Sequence, residues 1–301
     1  MTYRKMKTLG IDIGGTNIKY GVVENNIIIY NILTKSEVAK GKQFLIGKIV
    51  SIIENCKKNY NIKSIGIGIA GLVDYQRGFV FESPNLPEWE GVNLKNELKI
   101  VNLPISIDND ANCFALGEYL LRKDKKIKNL IGITLGTGIG GSLILDGKIY
   151  RGSNGFAGEI GHIKVEPDGR KCNCGQNGCL EAYSSGFAIE KKSKEIFGEK
   201  IAVSSLYQIA LKGNRKAIEI FNEAFEKLGI VCAGLIDLLN PDIIVFGGGL
   251  SNMREFLLIP LKKLIQKNCY KKLYEKVRIE VSQSDIDSGI IGATYLINSN
   301  K

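Results

Sequence analysis

The sequence predicts a duplicated α/β protein of two related lobes, and three observations carry that expectation. Strand-period and helix-period segments alternate along the whole chain of 301 residues, a length that more naturally fills two lobes than one. A strand, a tight glycine turn and a returning strand occur at residues 8–24 and again at 130–145, about 120 residues apart, the kind of self-similarity that marks an internal duplication. Each copy runs on into helices and further apolar strands, so the two are expected to form lobes facing each other across a cleft.

In the first half, strands are expected at Thr8–Ile13, Ile18–Glu24 and Ile27–Leu33. The first two are joined by a turn around Gly14-Gly15, and so short a connection requires antiparallel pairing. A helix-period segment at 37–58 follows, then apolar strands at Ser64–Ala70 and Phe79–Phe81. A short strand, Ile105–Ile107, runs into Asp108-Asn109-Asp110 and a helix from Ala111 to Leu121, and Asp and Asn are good N-cap residues at such a boundary.

In the second half, Leu130–Leu135 and Gly140–Leu145 flank Gly136-Thr137-Gly138, and Asp146-Gly147 is a hairpin turn. Helices at 186–197, 204–212 and 214–239 precede a strand at Asp242–Phe246 and the turn Gly247-Gly248-Gly249. A helix at 252–268, a strand at Val277–Val281 and a closing helix from Ser288 complete the pattern. The expected division is a first lobe over 1–118, a second over 119–287, and a terminal helix over 288–301 that returns to the first.

Composition narrows the function classes. With 44% hydrophobic and 24% charged residues, the chain is neither disordered nor fibrous. No apolar run approaches bilayer-spanning length. Arg4, Lys5 and Lys7 lead into Leu9-Gly10-Ile11-Asp12, where an acid interrupts any signal-peptide core; the expected location is cytoplasmic. The net charge of +10 is spread over scattered lysines, densest at Arg122–Lys128, which reads as a solvated surface and not as a nucleic-acid interface. Of seven cysteines, three fall within residues 172–179, and such bunching points to metal before disulfides. Cys56, Cys113, Cys232 and Cys269 lie isolated in helical patterns and are expected in the core.

Five clusters carry chemistry. Asp12-Ile13-Gly14-Gly15-Thr16-Asn17 ends the first strand: glycines there let backbone N–H groups approach phosphate oxygens, Thr16 can donate a hydroxyl bond, and Asp12 can hold Mg²⁺ directly or through water. A plain glycine hairpin would look similar. Gly136-Thr137-Gly138-Ile139-Gly140-Gly141 is a second glycine turn, weak on its own. Gly247-Gly248-Gly249 sits between a strand and a helix, where a nucleotide meets a helix N-terminus. A Walker lysine pattern is absent, which excludes a P-loop protein. In Asp108-Asn109-Asp110-Ala111-Asn112, a carboxylate on the first turn of a helix suits a base that takes the proton of a sugar hydroxyl; the spacing equally suits aspartates that cap the helix, or one that caps and one that works. Finally, Glu159-Ile160-Gly161-His162 precedes Cys172, Cys174 and Cys179. The chain's single histidine and a C-x-C-x4-C cluster suit a closed tetrahedral Zn²⁺ site, and Glu159 and Glu181 flank the ligands as acceptors for a polyol.

Taken together, these residues resemble the ROK family of sugar kinases and repressors, over essentially the whole chain. The resemblance runs through Asp12–Thr16, Asp108–Asn112, Gly136–Gly141, Glu159–His162, Cys172–Glu181 and Pro241–Gly249. It implies a two-lobed fold of the actin, Hsp70 and hexokinase type (ribonuclease H-like) with ATP and sugar in the cleft, Mg²⁺ and a structural Zn²⁺ as cofactors, and a homodimer or homotetramer. It implies Asp110 as the base for a sugar 6-hydroxyl, and Asn85, Asn109, Glu159, His162 and Glu181 as sugar contacts. His162 would spend its other nitrogen on Zn²⁺ beside Cys172, Cys174 and Cys179. For the nucleotide it implies Asp12, Gly14, Gly15, Thr16, Asn17, Lys19, Gly136, Thr137, Gly138, Gly248 and Gly249. Ser83–Val92 and Val165–Gly169 resemble the family's glucokinases, whereas Asp110–Ala115 also resembles its N-acetylglucosamine and fructose kinases. The expected activity is therefore ATP-dependent phosphorylation of a hexose, glucose first, with N-acetylglucosamine, N-acetylmannosamine or fructose as alternatives. A sugar-sensing repressor is the remote alternative, because the first core strand begins at about residue 8 and leaves no room for an N-terminal DNA-binding module.

Overall fold

The computed structural model describes residues 6–83, 86–122, 124, 126–283 and 285–299. Two compact units divide the chain: Met1–Lys125, Lys148–Ala157 and Ser284–Lys301 form the first, and Lys126–Gly147 and Gly158–Gln283 the second.

The first unit opens with β1 (Thr8–Ile13), β2 (Asn17–Glu24) and β3 (Ile27–Lys35), followed by α1 (Lys42–Tyr60) and β4 (Ser64–Ile69). Three short strands come next, β5 (Leu72–Asp74), β6 (Phe79–Glu82) and β7 (Val92–Asn93), then α2 (Leu94–Glu97), β8 (Ile105–Asn109) and α3 (Asp110–Leu121). The main sheet has the order β3-β2-β1-β4-β8. β1 is antiparallel to β2 and parallel to β4, and β4 is parallel to β8. β4 is buried at every position, as a central parallel strand covered on both faces must be. The apolar residues of α1 that bury, Leu45, Ile46, Ile49, Ile52, Ile53 and Cys56, recur at helical spacing. The expected helix over 37–58 is interrupted: a 3₁₀ turn at Val38–Lys40 stops at Gly41, whose φ of 90° no helix accepts, and α1 starts after it. β5, β6 and β7 form a separate small sheet, of which only β6 was expected.

The second half continues with β9 (Leu130–Leu135), β10 (Ile139–Leu145) and β11 (Lys148–Tyr150), then α4 (Glu181–Ser184), α5 (Gly186–Phe197), α6 (Val203–Leu211), α7 (Arg215–Leu239), β12 (Ile243–Gly247), α8 (Glu255–Asn268), α9 (Lys271–Tyr274) and β13 (Arg278–Val281). The second sheet has the order β11-β10-β9-β12-β13, with β9 antiparallel to β10 and parallel to β12, and β12 parallel to β13. This repeats the topology of the first sheet strand for strand, so the fold is the duplicated α/β fold of the actin, Hsp70 and hexokinase class. α7 supplies the core of the second unit through Phe221, Phe225, Leu228, Cys232 and Ile236, packed with Phe246 and Leu261. Cys269, expected in the core, is only partly buried, because it lies just past the end of α8.

The chain closes with α10 (Asp285–Ser299), which packs on β1, β4 and α3 within the first unit. The approach is unusually close: a Cβ on Gly66 of β4 would overlap the Ala293 carbonyl, and one on Gly292 would overlap the Cys113 carbonyl. Helix and sheet meet there through glycine because nothing larger fits. Among the described residues no helix is long and apolar enough to cross a membrane.

Candidate active site

Parallel pairing through β4 sets Asp12, Gly68 and Asp108 side by side in register. Asp12 therefore ends β1 next to the corner where β8 becomes α3. Lys19, opposite Asp12 on β2, brings its Nζ to 3.5 Å from Asp12 Oδ2. The turn between the two strands is fixed by Gly14 N–H donating to the Asn17 carbonyl at 3.0 Å and by Ser36 Oγ donating to the Gly15 carbonyl at 2.7 Å. Thr16 is exposed at its tip.

At the start of α3, Asn109 is the cap. Its Oδ1 accepts from the backbone N–H of Ala111 (2.8 Å) and Asn112 (3.3 Å), and its Nδ2 donates to the Gly71 carbonyl at 2.9 Å. Capping by Asp108 or Asp110, one of the sequence alternatives, is not what is found. Asp110 occupies the first helical position and Asp108 points elsewhere, to Arg151 and Asn112. Burial, and then the charge of Asp12, push the Asp110 carboxyl up to about 7, against the pull of nearby backbone N–H groups and Lys19. Burial likewise raises Asp12, with Lys19 opposing. A carboxyl that titrates near neutrality is matched to proton abstraction at working pH.

In the second unit, Gly136, Thr137 and Gly138 turn between β9 and β10, with Gly136 N–H donating to the Gly138 carbonyl at 2.9 Å. The first turn of α5 grips this loop from outside, as Gly186 N–H and Phe187 N–H donate to the carbonyls of Gly136 (2.8 Å) and Thr137 (3.2 Å). Gly248, at φ 82°, lies so close to β9 that a Cβ would stand 2.5 Å from the Leu135 carbonyl oxygen. The two glycine turns are thus neighbours, and Gly249 begins a 3₁₀ turn over Gly249–Met253.

His162, Cys172, Cys174 and Cys179 converge, their ligand atoms all lying within 4.8 Å of one another. Cys174 Sγ is 3.6 Å from Cys179 Sγ, and Cys172 Sγ is 3.8 Å from His162 Nδ1. A tetrahedral Zn²⁺ with Zn–S bonds of about 2.3 Å needs ligand atoms about 3.8 Å apart, so this donor set fits a closed metal site. Lys164 Nζ, 3.1 Å from Cys179 Sγ, adds a positive charge beside the thiols. His162 Nε2 faces Glu159 Oε2 at 3.8 Å. Glu181 Oε2 accepts from Ile139 N–H at 2.7 Å, tying the carboxylate to the strand after the Gly136–Gly138 turn. Burial holds the Glu159 carboxyl above its ordinary range, with His162 pulling it down and Glu181 pushing it up. A cavity of about 490 Å³ opens here, its lining including Arg170, Lys171, Cys172, Glu181, Ser185 and Lys191.

The first unit thus brings together Asp12, Gly14, Gly15, Thr16, Asn17, Lys19, Asn109 and Asp110. The second brings together Gly136, Thr137 and Gly138 with Gly248 and Gly249, and Glu159, His162 and Glu181 with the three cysteines. Asn85 lies outside the described residues. Sequence reasoning passed over Arg151 and Lys164. Lys164 had a local signal, a cation two residues after His162; Arg151 had none, since its partner Asp108 is 43 positions away.

The ROK family profile matches residues 8–300. A glucokinase of Thermotoga maritima is 33% identical, with 97% of this chain and 98% of the relative covered. An N-acetylmannosamine kinase of Vibrio cholerae is 34% identical, with 96% of this chain and 99% of the relative covered. Among solved structures, a ROK family glucokinase from Streptomyces griseus in complex with glucose and AMPPNP superposes with a TM-score of 0.85 at 31% identity, over 96% of this chain and 98% of that one. With the profile spanning nearly the full length and the glycine-turn unit present once in each half, the chain belongs to the ROK family.

Proposed function

We propose that this ROK-family sugar kinase transfers the γ-phosphoryl group of ATP to the 6-hydroxyl of glucose, with Asp110 as general base. The observation that carries the reading is Asp110 itself: a carboxyl at the start of α3, pushed to about 7 by burial and by Asp12. Ionised, it accepts the proton of the 6-hydroxyl while that oxygen bonds to the γ-phosphorus and the bond to ADP breaks. The turns at Gly14–Thr16 and Gly136–Gly138, whose first N–H groups close the turns themselves, present their later backbone N–H groups to phosphate oxygens, Thr16 and Thr137 add hydroxyls, and Gly248-Gly249 leave room for the adenosine side. Asp12 and Lys19 lie 3.5 Å apart, a carboxylate for Mg²⁺ and a cation for phosphate. When bound, Mg²⁺ neutralises charge that develops on the transferring group.

Glu159, His162 and Glu181 hold the remaining sugar hydroxyls. His162 would do so through Nε2, its Nδ1 being turned to the thiols. His162, Cys172, Cys174 and Cys179 hold a structural Zn²⁺ that locks this imidazole and its loop. Asn109 has committed its oxygen to the cap and one N–H to Gly71, which leaves a single N–H for the sugar.

Glucose is favoured by the glucokinase relative and by the S. griseus structure, whose ligands are glucose and AMPPNP. The 34% identity to an N-acetylmannosamine kinase supports an N-acetylhexosamine as the second reading. A coupled ADP-release assay with ATP, Mg²⁺ and glucose, mannose, fructose, N-acetylglucosamine or N-acetylmannosamine separates them. Glucose giving the highest kcat/KM sustains the proposal. Preference for an amino sugar moves the protein to the second reading, and no stimulation by any sugar removes the kinase reading.

A further inference from the structure

We propose that Arg151 is a positioning residue for Asp110, acting through Asp108; the inference rests on Asp110 being the base. Arg151 lies between β11 and the loop that leads to Glu159, and its Nε and Nη2 both donate to Asp108 Oδ2, at 3.1 and 2.7 Å. Asp108 is 1% exposed and the arginine side chain 13%, so this is a buried pair. The second carboxylate oxygen is also occupied: Asp108 Oδ1 accepts from the backbone N–H of Asn109 and from Asn112 Nδ2, each at 2.8 Å. With four donors on two oxygens, Asp108 is committed as a clamp, and what it clamps brackets Asp110. Asn109 immediately precedes the base, and Asn112 lies on the first turn of α3.

Asn109 carries the constraint onward, because its own side chain caps Ala111 and Asn112 and reaches the Gly71 carbonyl. The arginine is held in turn. Its guanidinium lies over the Tyr75 ring, 4.3 Å from the centroid, and Phe156, further along the same segment, meets Phe81 of β6 edge-on at 5.5 Å. The base therefore stands on a corner fixed from Gly71 and Tyr75, on either side of β5, and from the 151–156 segment, itself held against β6, as well as from its own helix.

This arrangement needs a planar fork more than a charge. Two N–H groups on one oxygen, with the guanidinium carbon over an aromatic ring, is an arrangement of which an ammonium reproduces only the charge. If the corner relaxes, the carboxylate of Asp110 drifts from the hydroxyl it must reach, and a misplacement of about 1 Å costs about 100-fold in rate. Binding of ATP, which depends on other groups, would be spared, and the sugar would lose at most the single Asn109 N–H among its contacts.

The test uses the full-length protein as wild type, Arg151→Lys, and the double variant Arg151→Met/Asp108→Asn, which leaves no uncompensated buried charge and so keeps a folded sample in hand. Steady-state kinetics and backbone amide exchange by NMR are measured on each. The expected result is a 10- to 100-fold loss of kcat in both variants, with KM for ATP within about twofold of wild type and KM for sugar raised by no more than about fivefold, the worth of the one Asn109 hydrogen bond. In Arg151→Lys the amides of Asn109 and Asn112 should exchange at least about tenfold faster, reporting an opened corner. Wild-type kcat in either variant, or a loss that falls mainly on KM, overturns the proposal. A wild-type protein inactive on every sugar defeats the kinase reading instead, and amide exchange then still decides for Arg151: unchanged rates in Arg151→Lys show that it does not hold the corner.

Discussion

His162 divides its two ring nitrogens between neighbours, with Nδ1 3.8 Å from Cys172 Sγ and Nε2 3.8 Å from Glu159 Oε2. One imidazole thus joins the cysteine cluster to the carboxylates proposed to grip the sugar. A Cys172→Ser variant should purify with about a tenth or less of the one zinc per chain expected of the parent, read by elemental analysis. Its KM for sugar should rise at least about tenfold, because His162 loses the contact that orients it. Retention of stoichiometric zinc in that variant, or its absence from the parent purified without chelators, would remove the metal from the account.

Asp110→Asn preserves size and the hydrogen bond to Ala111 N–H (2.9 Å) while abolishing the basic lone pair. A loss of about 10²- to 10⁴-fold in kcat is expected, the usual worth of a positioned base, with circular dichroism and zinc content unchanged. Activity within a factor of a few of the parent would show that the base lies elsewhere.

The raised carboxyl of Asp110 also ties activity to pH in one direction and stability in the other. The base works ionised, so kcat/KM should rise with pH through a limb near 7. For stability, the folded protein binds this proton more tightly than the unfolded chain, whose value lies near 3.9. Its contribution is therefore intact below about 4 and lost as pH climbs through about 7. Asp110→Asn, neutral at every pH, should be more stable than wild type at pH 8 by about 2–4 kcal/mol, with the difference shrinking as pH falls and vanishing only below about pH 4. Thermal melts at the two pH values check this. Equal offsets at both would mean that the buried charge is not what separates the variants.

Much of this was readable from the sequence, for physical reasons that differ from site to site. The buried strand β4 and the long helix α7 announce themselves because burial forces an apolar pattern on contiguous residues. The convergence of His162 with the three cysteines is equally open, since a donor set suited to a tetrahedral ion shows in the sequence as close spacing of metal-ligating residue types. What escapes is whatever depends on partners far apart in the chain. Glu181 is held by Ile139 N–H, 42 positions away, and Asp108 by Arg151, 43 positions away; neither leaves a periodic trace. β5 and β7 escape because strands of two or three residues are too short to show alternation. The choice of Asn109 as cap, with an aspartate on either side, is settled by the corner's geometry and not by residue type.

Arg254 sits at φ 44° and ψ −109°, between the 3₁₀ turn Gly249–Met253 and α8. That region is open to glycine and strained for any residue with a Cβ. The same kink breaks the single helix expected over 252–268, because the chain must turn between the glycine loop and the axis of α8. The backbone there is well anchored: Arg254 N–H donates to the Ser251 carbonyl at 3.0 Å, and the Arg254 carbonyl accepts from Leu257 and Leu258 at 3.1 and 2.8 Å. The conformation would therefore survive replacement of the side chain. Arg254→Gly should relieve about 1–3 kcal/mol of strain, less about 0.4–1 kcal/mol for the greater freedom of glycine in the unfolded chain, a net gain of about 1 kcal/mol. Chemical denaturation of the two proteins under identical conditions measures it as a higher midpoint at constant slope. A lower midpoint for Arg254→Gly would mean that the arginine side chain contributes more to the fold than its backbone costs.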